Sequence, residues 1–363
     1  MMNLLIYILL FIPSLIFKLI LKVNKKEIWL ISETNDRAED NAYYLFKYIR
    51  ENKPNELAYY VIDKKAKDYK KVDKYGNVIN WGSLKHYLYY LVAKNISTEE
   101  NNSPYKNLVK SNRIFLQRGI TKDDIDDLHY DKTKFKLFVC GAKREYEYIK
   151  NNFNYPEKNI KFLGLPRFDE FNNIEVDNNK ILIMPTCRNY IKNNFSDTEY
   201  YKKWNSLINN NELIEYIEKN NISIYFYLHH NMKKYIKEFN SKSKNIILVD
   251  DIDINELLKT SSLLITDYSS VYMDFAYMSK PVIYYQFDYK DYRASGYKEG
   301  YFKYNKDAFG KIIIDEEDLV KKIIAYDELD YKMEKVYSDR ITNFFEIKDQ
   351  NNCKRVYEAI KEI

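Results

Sequence analysis

The 363-residue sequence is poor in the residue types that form metal centres, disulfide frameworks and repetitive structure. Its three cysteines, Cys140, Cys187 and Cys353, lie far apart, so they predict neither a disulfide framework nor a metal motif and favour a reducing cytosol. The four histidines lack HxxxH spacing, which argues against a zinc site. Eight glycines exclude a collagen-like or low-complexity segment. We therefore predict a globular protein without a zinc site.

An excess of charge of one sign is also nearly absent. The 58 basic and 53 acidic residues leave a net charge of +5, and no dense basic stripe stands out. This balance argues against a nucleic-acid partner and is compatible with an anionic membrane surface or an anionic substrate. A hydrophobic content of 45%, with 37 tyrosines, is sufficient for a core, and the length allows two domains.

A long apolar run occurs at the amino terminus. Residues 4–23 are almost continuously apolar and long enough to span a bilayer. Pro13 and Lys18 weaken a spanning helix, because a lysine at membrane depth costs about 3 kcal/mol unless it snorkels. The basic residues that follow, Lys22, Lys25 and Lys26, keep the next part of the chain cytoplasmic by the positive-inside rule. We predict a membrane anchor that spans the bilayer or lies in its interface; the alternative is an amphipathic helix docked on the protein itself.

The rest of the chain alternates short apolar runs with segments of helical periodicity, which predicts an α/β fold with parallel, doubly wound sheets. Helices are predicted over residues 35–52, within 200–219 after a loop, and over 334–361. A polar stretch near residues 172–180 separates two such series and suggests a ligand cleft between two domains. The predicted segments are an anchor helix (1–24), an N-terminal Rossmann-like domain (25–172), a C-terminal Rossmann-like domain (173–333) and a C-terminal helix packing back on the N-terminal domain (334–363).

Residues 262–292 form the most informative stretch. An apolar run is followed by a polar turn with Asp267, Ser269 and Ser270, then by a helical pattern and a second apolar run at 282–285. Such a turn lies at the carboxyl end of a strand and at the amino end of a helix, where open α/β sheets bind phosphate groups. The serines are therefore predicted to donate to a phosphate; the alternative is a helix cap without a ligand.

Four motifs together resemble the CDP-glycerol glycerophosphotransferases that build teichoic acids and related capsular polymers. They are GLPRFD at 164–169, PTCR at 185–188, the strand that ends at His229, and ITDYSSVYMDFAYMSKPVIYY at 265–285. The resemblance covers roughly residues 90–330. It implies a GT-B fold with an N-terminal acceptor domain, a C-terminal domain that holds the CDP-alcohol, and a reaction that needs no metal and no cofactor.

The resemblance also implies a reaction. Glycerol phosphate, or a related polyol phosphate, would pass from CDP-glycerol to a hydroxyl of a lipid-linked teichoic acid or capsular acceptor at the cytoplasmic face of the cell membrane, releasing CMP. His229 would donate to a phosphate oxygen or transfer a proton. Ser269 and Ser270 would bind the diphosphate, and Arg188 would pair with a phosphate unless it forms a surface ion pair.

The remaining predicted contacts are less direct. Asp267 is predicted near the substrate, with a buried structural carboxylate as the alternative. Arg167 and Asp169 are placed between the domains, where they contact each other or a substrate. Gly119 and Lys122, in the turn after the strand at 113–117, are further predicted substrate contacts.

The chain departs from the family at one position that matters for catalysis. The family has a His-Gly pair after the strand at 113–117, and that histidine is the expected base, whereas this chain has Arg118-Gly119. Arginine remains protonated at neutral pH and cannot accept a proton. Either the site is inactive, or another group such as Asp123, Asp124 or His129 is the base, or Arg118 orients an anionic acceptor in a loose transition state. The alternative functions are a catalytically impaired paralogue that binds a CDP-alcohol or a partner, and a GT-B nucleotide-sugar glycosyltransferase.

Overall fold

The structure is a computed structural model that describes residues 2–105, 112–172, 174–188, 190–191, 194–250, 252–296 and 298–363, without the side chain of His230. The described chain divides into two compact units. The first unit contains residues 1–121, 125–170 and 347–363, and the second contains residues 122–124 and 171–346. Each unit is built around one parallel sheet, so the predicted α/β architecture with doubly wound sheets is confirmed.

The first unit has a seven-stranded sheet in the order β3-β2-β1-β4-β5-β6-β7. β1 is buried along its whole length, which explains its continuous apolar sequence. The strands are β1 (Ile28–Ser32), β2 (Leu57–Ile62), β3 (Val78–Asn80), β4 (Lys94–Ser97), β5 (Asn112–Phe115), β6 (Leu137–Cys140) and β7 (Ile160–Phe162). The helices of this unit are α1 (Met2–Val23), α2 (Asn41–Asn52), α3 (Tyr69–Asp73), α4 (Leu84–Val92), α5 (Tyr130–Thr133), α6 (Lys143–Asn152) and α15 (Asn352–Lys361).

The second unit has a six-stranded sheet in the order β10-β9-β8-β11-β12-β13. Its core contains the fully buried Trp204, which packs edge-on against Tyr285. The strands are β8 (Asp177–Met184), β9 (Ser223–Tyr227), β10 (Ile246–Val249), β11 (Ser261–Thr266), β12 (Val282–Tyr285) and β13 (Gly310–Ile313). The helices are α7 (Glu199–Leu207), α8 (Asn211–Lys219), α9 (Ile254–Thr260), α10 (Val271–Tyr277), α11 (Tyr289–Ala294), α12 (Tyr304–Asp307), α13 (Glu316–Glu328) and α14 (Lys335–Phe344).

Three predicted helices differ from the observed ones because polar side chains bind backbone groups locally. The helix predicted from residue 35 begins at Asn41, since the carboxylate of Glu33 accepts the N–H groups of Glu39, Asp40 and Tyr43 and holds the preceding residues in a loop. The single helix predicted within 200–219 is two helices, the second capped by Asn210.

The helix predicted over 334–361 is also two helices, α14 and α15. Asp349 accepts the N–H of Asn351, and Asp169 accepts the N–H groups of Asn352 and Cys353. These carboxylates start a new helix at Asn352 instead of continuing the earlier one.

α1 has two different faces. One face packs on α4 and its surroundings, with Tyr7 against Tyr105 at 5.9 Å and Phe17 against Tyr89 at 5.5 Å between ring centroids. The opposite face is apolar and exposed; its side chains include Leu5, Ile8, Leu9, Ile12, Leu15, Ile16, Leu19 and Ile20. By length and composition α1 is long and apolar enough to cross a membrane.

Candidate active site

Each sheet has one point where neighbouring strands lead into loops on opposite sides. In the first unit this point lies between β1 and β4, and in the second between β8 and β11. Open α/β sheets bind ligands outside the carboxyl ends of the strands at such a point, because the diverging loops leave a crevice. The predicted residues Arg118 and Gly119 follow β5, the strand next to β4, whereas Arg188 and Asp267 follow β8 and β11.

Arg188 and Asp267 form a buried ion pair in the second unit. Nη2 of Arg188 donates to Oδ2 of Asp267 at 2.8 Å, and both side chains are fully buried. Oδ1 of Asp267 accepts the backbone N–H of Thr186 at 2.8 Å and that of Tyr268 at 2.6 Å. The prediction of a surface ion pair for Arg188 is therefore wrong, because the pair is buried. Asp267 has the surroundings expected of a buried structural carboxylate, the alternative considered for it. Together these groups tie the loop after β8 to the loop after β11.

Asp288 is the residue of this cluster that the sequence did not reveal. It lies just before α11, 100 positions from Arg188, and accepts Nε and Nη2 of Arg188 at 2.8 and 3.0 Å. The Tyr268 hydroxyl also donates to Asp288, and the Tyr268 ring stacks on Tyr292 at 3.9 Å between centroids. The result is a buried, hydrogen-bonded cluster that includes the two residues directly before the Ser269-Ser270 turn.

The two serines follow this buried cluster in the sequence and are less buried than its members. Ser269 is half-buried and Ser270 is exposed. Ser270 precedes α10 in helical backbone geometry and its hydroxyl makes no capping hydrogen bond within the described chain, while the Ser269 hydroxyl is 3.5 Å from the N–H of Val271. The Ser270 hydroxyl is thus not occupied in capping, whereas Ser269 makes one long hydrogen bond of the capping kind, so the helix-cap alternative remains open for Ser269.

His229 lies where the chain leaves β9. Its Nδ1 accepts the backbone N–H of Asn231 at 3.3 Å and thereby caps the turn that follows. In a neutral imidazole, an accepting Nδ1 places the proton on Nε2. The residue is half-buried, and in this tautomer Nε2 carries the proton that can donate a hydrogen bond.

In the first unit, Arg118 is paired with Glu99. Nε of Arg118 donates to Oε1 of Glu99 at 2.5 Å, and Nη2 contacts the same oxygen. β4 and β5 are paired in register at Ser97 and Phe115, so Glu99 and Arg118 follow two adjacent strand ends. Gly119 next to them is half-buried.

Buried hydrogen bonds hold the loop that carries Arg118. Gln117 has a left-handed backbone, with φ of 50°, which is uncommon outside glycine. Its side chain donates to the carbonyl of Val139 at 2.8 Å and accepts the Thr121 hydroxyl at 2.9 Å. The buried Glu145 carboxylate accepts the N–H groups of Thr121 and Gly141, both at 2.6 Å, and burial raises its pKa to about 7. These buried polar groups therefore hold the backbone of the loop that carries Arg118.

Lys122 and its neighbours belong to the second unit. Lys122 is buried and paired with Asp123, which also accepts Nη1 of Arg293 at 2.7 Å. Burial alone would raise the pKa of Asp123, but Lys122 and Arg293 hold it below its usual value. A carboxylate that is held ionised between two cations is a weak proton acceptor, which disfavours Asp123 as the base.

Arg167 and Asp169, in the GLPRFD turn, have separate partners in the first unit. Nη1 of Arg167 donates to Asp40, the residue that caps α2, and its backbone N–H donates to Asn41 at 3.1 Å. Asp169 instead caps α15. These contacts give the turn a structural role within the first unit; a substrate contact for Arg167 stays a prediction.

Two doubly wound parallel sheets define a GT-B-like protein, and solved structures agree. The wall teichoic acid polymerase TagF superimposes with a TM-score of 0.73 at 18% sequence identity, covering 93% of this chain and 89% of that one. The UDP-GlcNAc 2-epimerase from Neisseria meningitidis, bound to UDP-GlcNAc, superimposes with a TM-score of 0.53 at 11% identity, over 93% and 100% of the two chains. At these identities the similarity concerns the fold.

The sequence identifies the family within this fold. Residues 14–362 match the CDP-glycerol:poly(glycerophosphate) glycerophosphotransferase family, and the chain belongs to it. It is 37% identical to the minor teichoic acid biosynthesis protein GgaB of Bacillus subtilis strain 168, over 94% of this chain and 40% of that protein. It is 28% identical to the teichoic acid ribitol-phosphate polymerase TarL of Staphylococcus aureus strain NCTC 8325, over 58% of this chain and 38% of that protein. The family predicted from the four motifs is confirmed, and the chain spans about 40% of the length of these relatives.

Proposed function

We propose that this protein transfers glycerol phosphate, or a related polyol phosphate, from CDP-glycerol to a hydroxyl of a lipid-linked teichoic acid or capsular acceptor. The observation that carries the proposal is the Ser269-Ser270 turn, held at the switch point of the second sheet by the Asp267–Arg188–Asp288 cluster. The second unit would bind the CDP-alcohol and the first unit the acceptor. Membership of the glycerophosphotransferase family supports this choice of donor.

The reaction needs donors for the phosphoryl oxygens as the acceptor hydroxyl attacks the β-phosphorus and CMP leaves. Ser269 and Ser270 present their hydroxyls from a turn whose backbone is already held by the Asp267–Arg188–Asp288 cluster. The Nε2–H of His229 is a further donor, fixed in this tautomer by the contact with Asn231. Arg188 acts differently from the sequence-based prediction: its donors to Asp267, Asp288 and the Thr186 carbonyl are engaged inside the unit, so it supports the turn.

The donor preference is tested by a screen of purified protein and acceptor-containing membranes with CDP-glycerol, CDP-ribitol and UDP-sugars. We expect CMP release from a CDP-alcohol and no UDP release. The double variant Ser269→Ala/Ser270→Ala should lower kcat/KM for the CDP-alcohol by about 100-fold, since it removes two donors worth about 1–1.5 kcal/mol each. Ser295→Ala, a change of the same kind elsewhere in the unit, is the control. UDP release would favour a nucleotide-sugar glycosyltransferase, and CDP-alcohol binding without CMP release would favour the impaired paralogue.

We further propose that α1 holds the protein at the cytoplasmic face of the cell membrane by lying in the interface. A helix whose one face packs on its own domain leaves only the opposite apolar face for lipid. At its carboxyl end, a cavity of about 520 Å³ is lined by six lysines: Lys18, Lys22, Lys25, Lys26, Lys94 and Lys361. Lys18, Lys22, Lys25 and Lys26 have no hydrogen-bond or ion-pair partner among the described residues. Such a cluster beside an apolar face suits an anionic membrane surface.

Removing the apolar face of α1 is expected to release the protein from membranes. The triple variant Leu9→Glu/Ile12→Glu/Ile16→Glu replaces three exposed side chains with charges. We expect its partitioning onto vesicles of phosphatidylglycerol to fall at least tenfold, because each apolar residue contributes about 1 kcal/mol or more on burial. The matched control is Ile314→Glu/Leu329→Glu/Val336→Glu, which changes three exposed apolar residues of the second unit. Equal vesicle binding of both triple variants and the wild type would contradict the anchor.

A further inference from the structure

In the Glu99–Arg118 pair, the arginine contacts only one of the two carboxylate oxygens. Both contacts from Arg118 fall on Oε1 of Glu99. Within the described chain Oε2 has no hydrogen-bond partner. The side chain of Glu99 is 21% exposed, so the carboxylate is partly removed from water yet still reachable. One oxygen is thus fixed by a cation while the other keeps its lone pairs for an incoming hydrogen.

The surroundings place this oxygen at the switch point of the first sheet. Asn102 donates to the hydroxyls of Ser32 and Ser97 and to the carbonyl of Glu33, so it bridges the ends of β1 and β4. The Glu99 N–H donates to the Ser97 hydroxyl at 2.9 Å. Glu99 also lines a small cavity with Ser32, Ser97 and Asn102. The backbone that carries this carboxylate is therefore tied to the carboxyl ends of β1 and β4.

Burial makes Glu99 a better proton acceptor than an ordinary surface carboxylate, although Arg118 opposes this effect. Burial raises its pKa above the usual value, Arg118 lowers it, and Glu100 and Asp40 raise it further; the net direction is upward. A general base is most effective when its pKa approaches the working pH. Arg118 itself is always protonated and cannot take the proton.

We propose that Glu99 is the general base of the transfer reaction and that Arg118 is the residue that positions it. This inference rests on the proposed function. Oε2 of Glu99 takes the proton of the acceptor hydroxyl while the oxygen of that hydroxyl forms the bond to the β-phosphorus. The bond from that phosphorus to the bridging oxygen breaks, and CMP leaves with the electron pair. The proton then passes from the carboxylic acid to solvent, so the net products are the extended acceptor, CMP and a proton.

The substitution Glu99→Gln tests the base directly. We expect CMP release in the presence of acceptor to fall by about 10²–10⁴-fold, the range for loss of a general base, with little change in KM for the CDP-alcohol. Glu99→Asp keeps a carboxylate and should restore part of the activity. Glu147→Gln makes the same change at an exposed residue of α6 and is the matched control, with activity expected within about threefold of wild type. Melting curves of all variants verify that they fold.

The pH profile separates a positioning role of Arg118 from a merely structural one. Wild-type kcat should fall at low pH as Glu99 becomes protonated. In Arg118→Gln the cation that lowers the pKa of Glu99 is gone, so the acidic limb should move to higher pH. An unchanged limb, or a Glu99→Gln variant as active as Glu147→Gln, would overturn the proposal and leave the transferase function intact. A wild-type protein that releases CMP from neither CDP-glycerol nor CDP-ribitol would overturn the function and the base together.

Discussion

Arg188→Ala is expected to lower the free energy of unfolding of the second unit by about 3–5 kcal/mol, because it leaves two carboxylates, Asp267 and Asp288, without their cation. A loss of this size corresponds to a melting temperature lower by roughly 10 °C. Arg188→Lys should also destabilise, since an ammonium group cannot reproduce the two contacts to Asp288 and the contact to Asp267. Differential scanning calorimetry on the purified chain measures the effect.

The control for this prediction is Lys335→Ala, which breaks an exposed ion pair with Asp339 in the same unit. Exposed pairs of this kind contribute about 0–1 kcal/mol, so its melting temperature should stay close to that of the wild type. If Arg188→Ala melts together with Lys335→Ala, the buried cluster does not stabilise the second unit. Donor binding by the Arg188 variant should weaken in parallel, because the Ser269-Ser270 turn loses its support.

The second large effect is expected for His229→Asn. Asparagine keeps an oxygen that can accept the N–H of Asn231, so the turn after β9 is preserved, but it lacks the Nε2–H donor. We expect kcat for CMP release to fall by about 10²–10³-fold, the cost of removing one donor to the reacting phosphoryl group. A steady-state assay at saturating CDP-alcohol measures this value.

His229→Ala completes that experiment. It removes both the donor and the cap, so it should lose as much activity as His229→Asn and also melt at a lower temperature. Full activity of a normally folded His229→Asn protein would show that Nε2 takes no part in the reaction. Equal melting of the two variants would show instead that the cap contributes little to stability.

The sequence allowed correct prediction of features that depend on neighbouring residues. The strand–turn–helix–strand order of residues 262–292 follows from local periodicity and is observed as β11, α10 and β12. The position of His229 at a strand end is of the same kind. Helix boundaries were less predictable, since Glu33 and Asp349 end or delay helices through side-chain contacts that leave no periodic signal.

Contacts between distant residues could not be predicted in this way. The charge of Arg188 suggests a phosphate contact. Only the structure shows that this side chain is buried and paired with Asp288, 100 residues away. The Glu99–Arg118 pair likewise depends on the alignment of β4 with β5. An acidic residue after one strand and a basic residue after the next would have been the only available signal.

The docking of α15 has a consequence for synthesis on the ribosome. Tyr357 packs on Trp29 of β1, and Lys94 of β4 donates to the carbonyl of Ile360, so residues near both ends of the chain complete one core. The first unit therefore cannot finish folding until residues 347–363 have been translated. The second unit requires only earlier residues and can fold while the first is still incomplete. The apolar face of α1 is synthesised before the rest of either unit. Attachment of this face to lipid during translation would protect it from aggregation until α15 completes the core of the first unit.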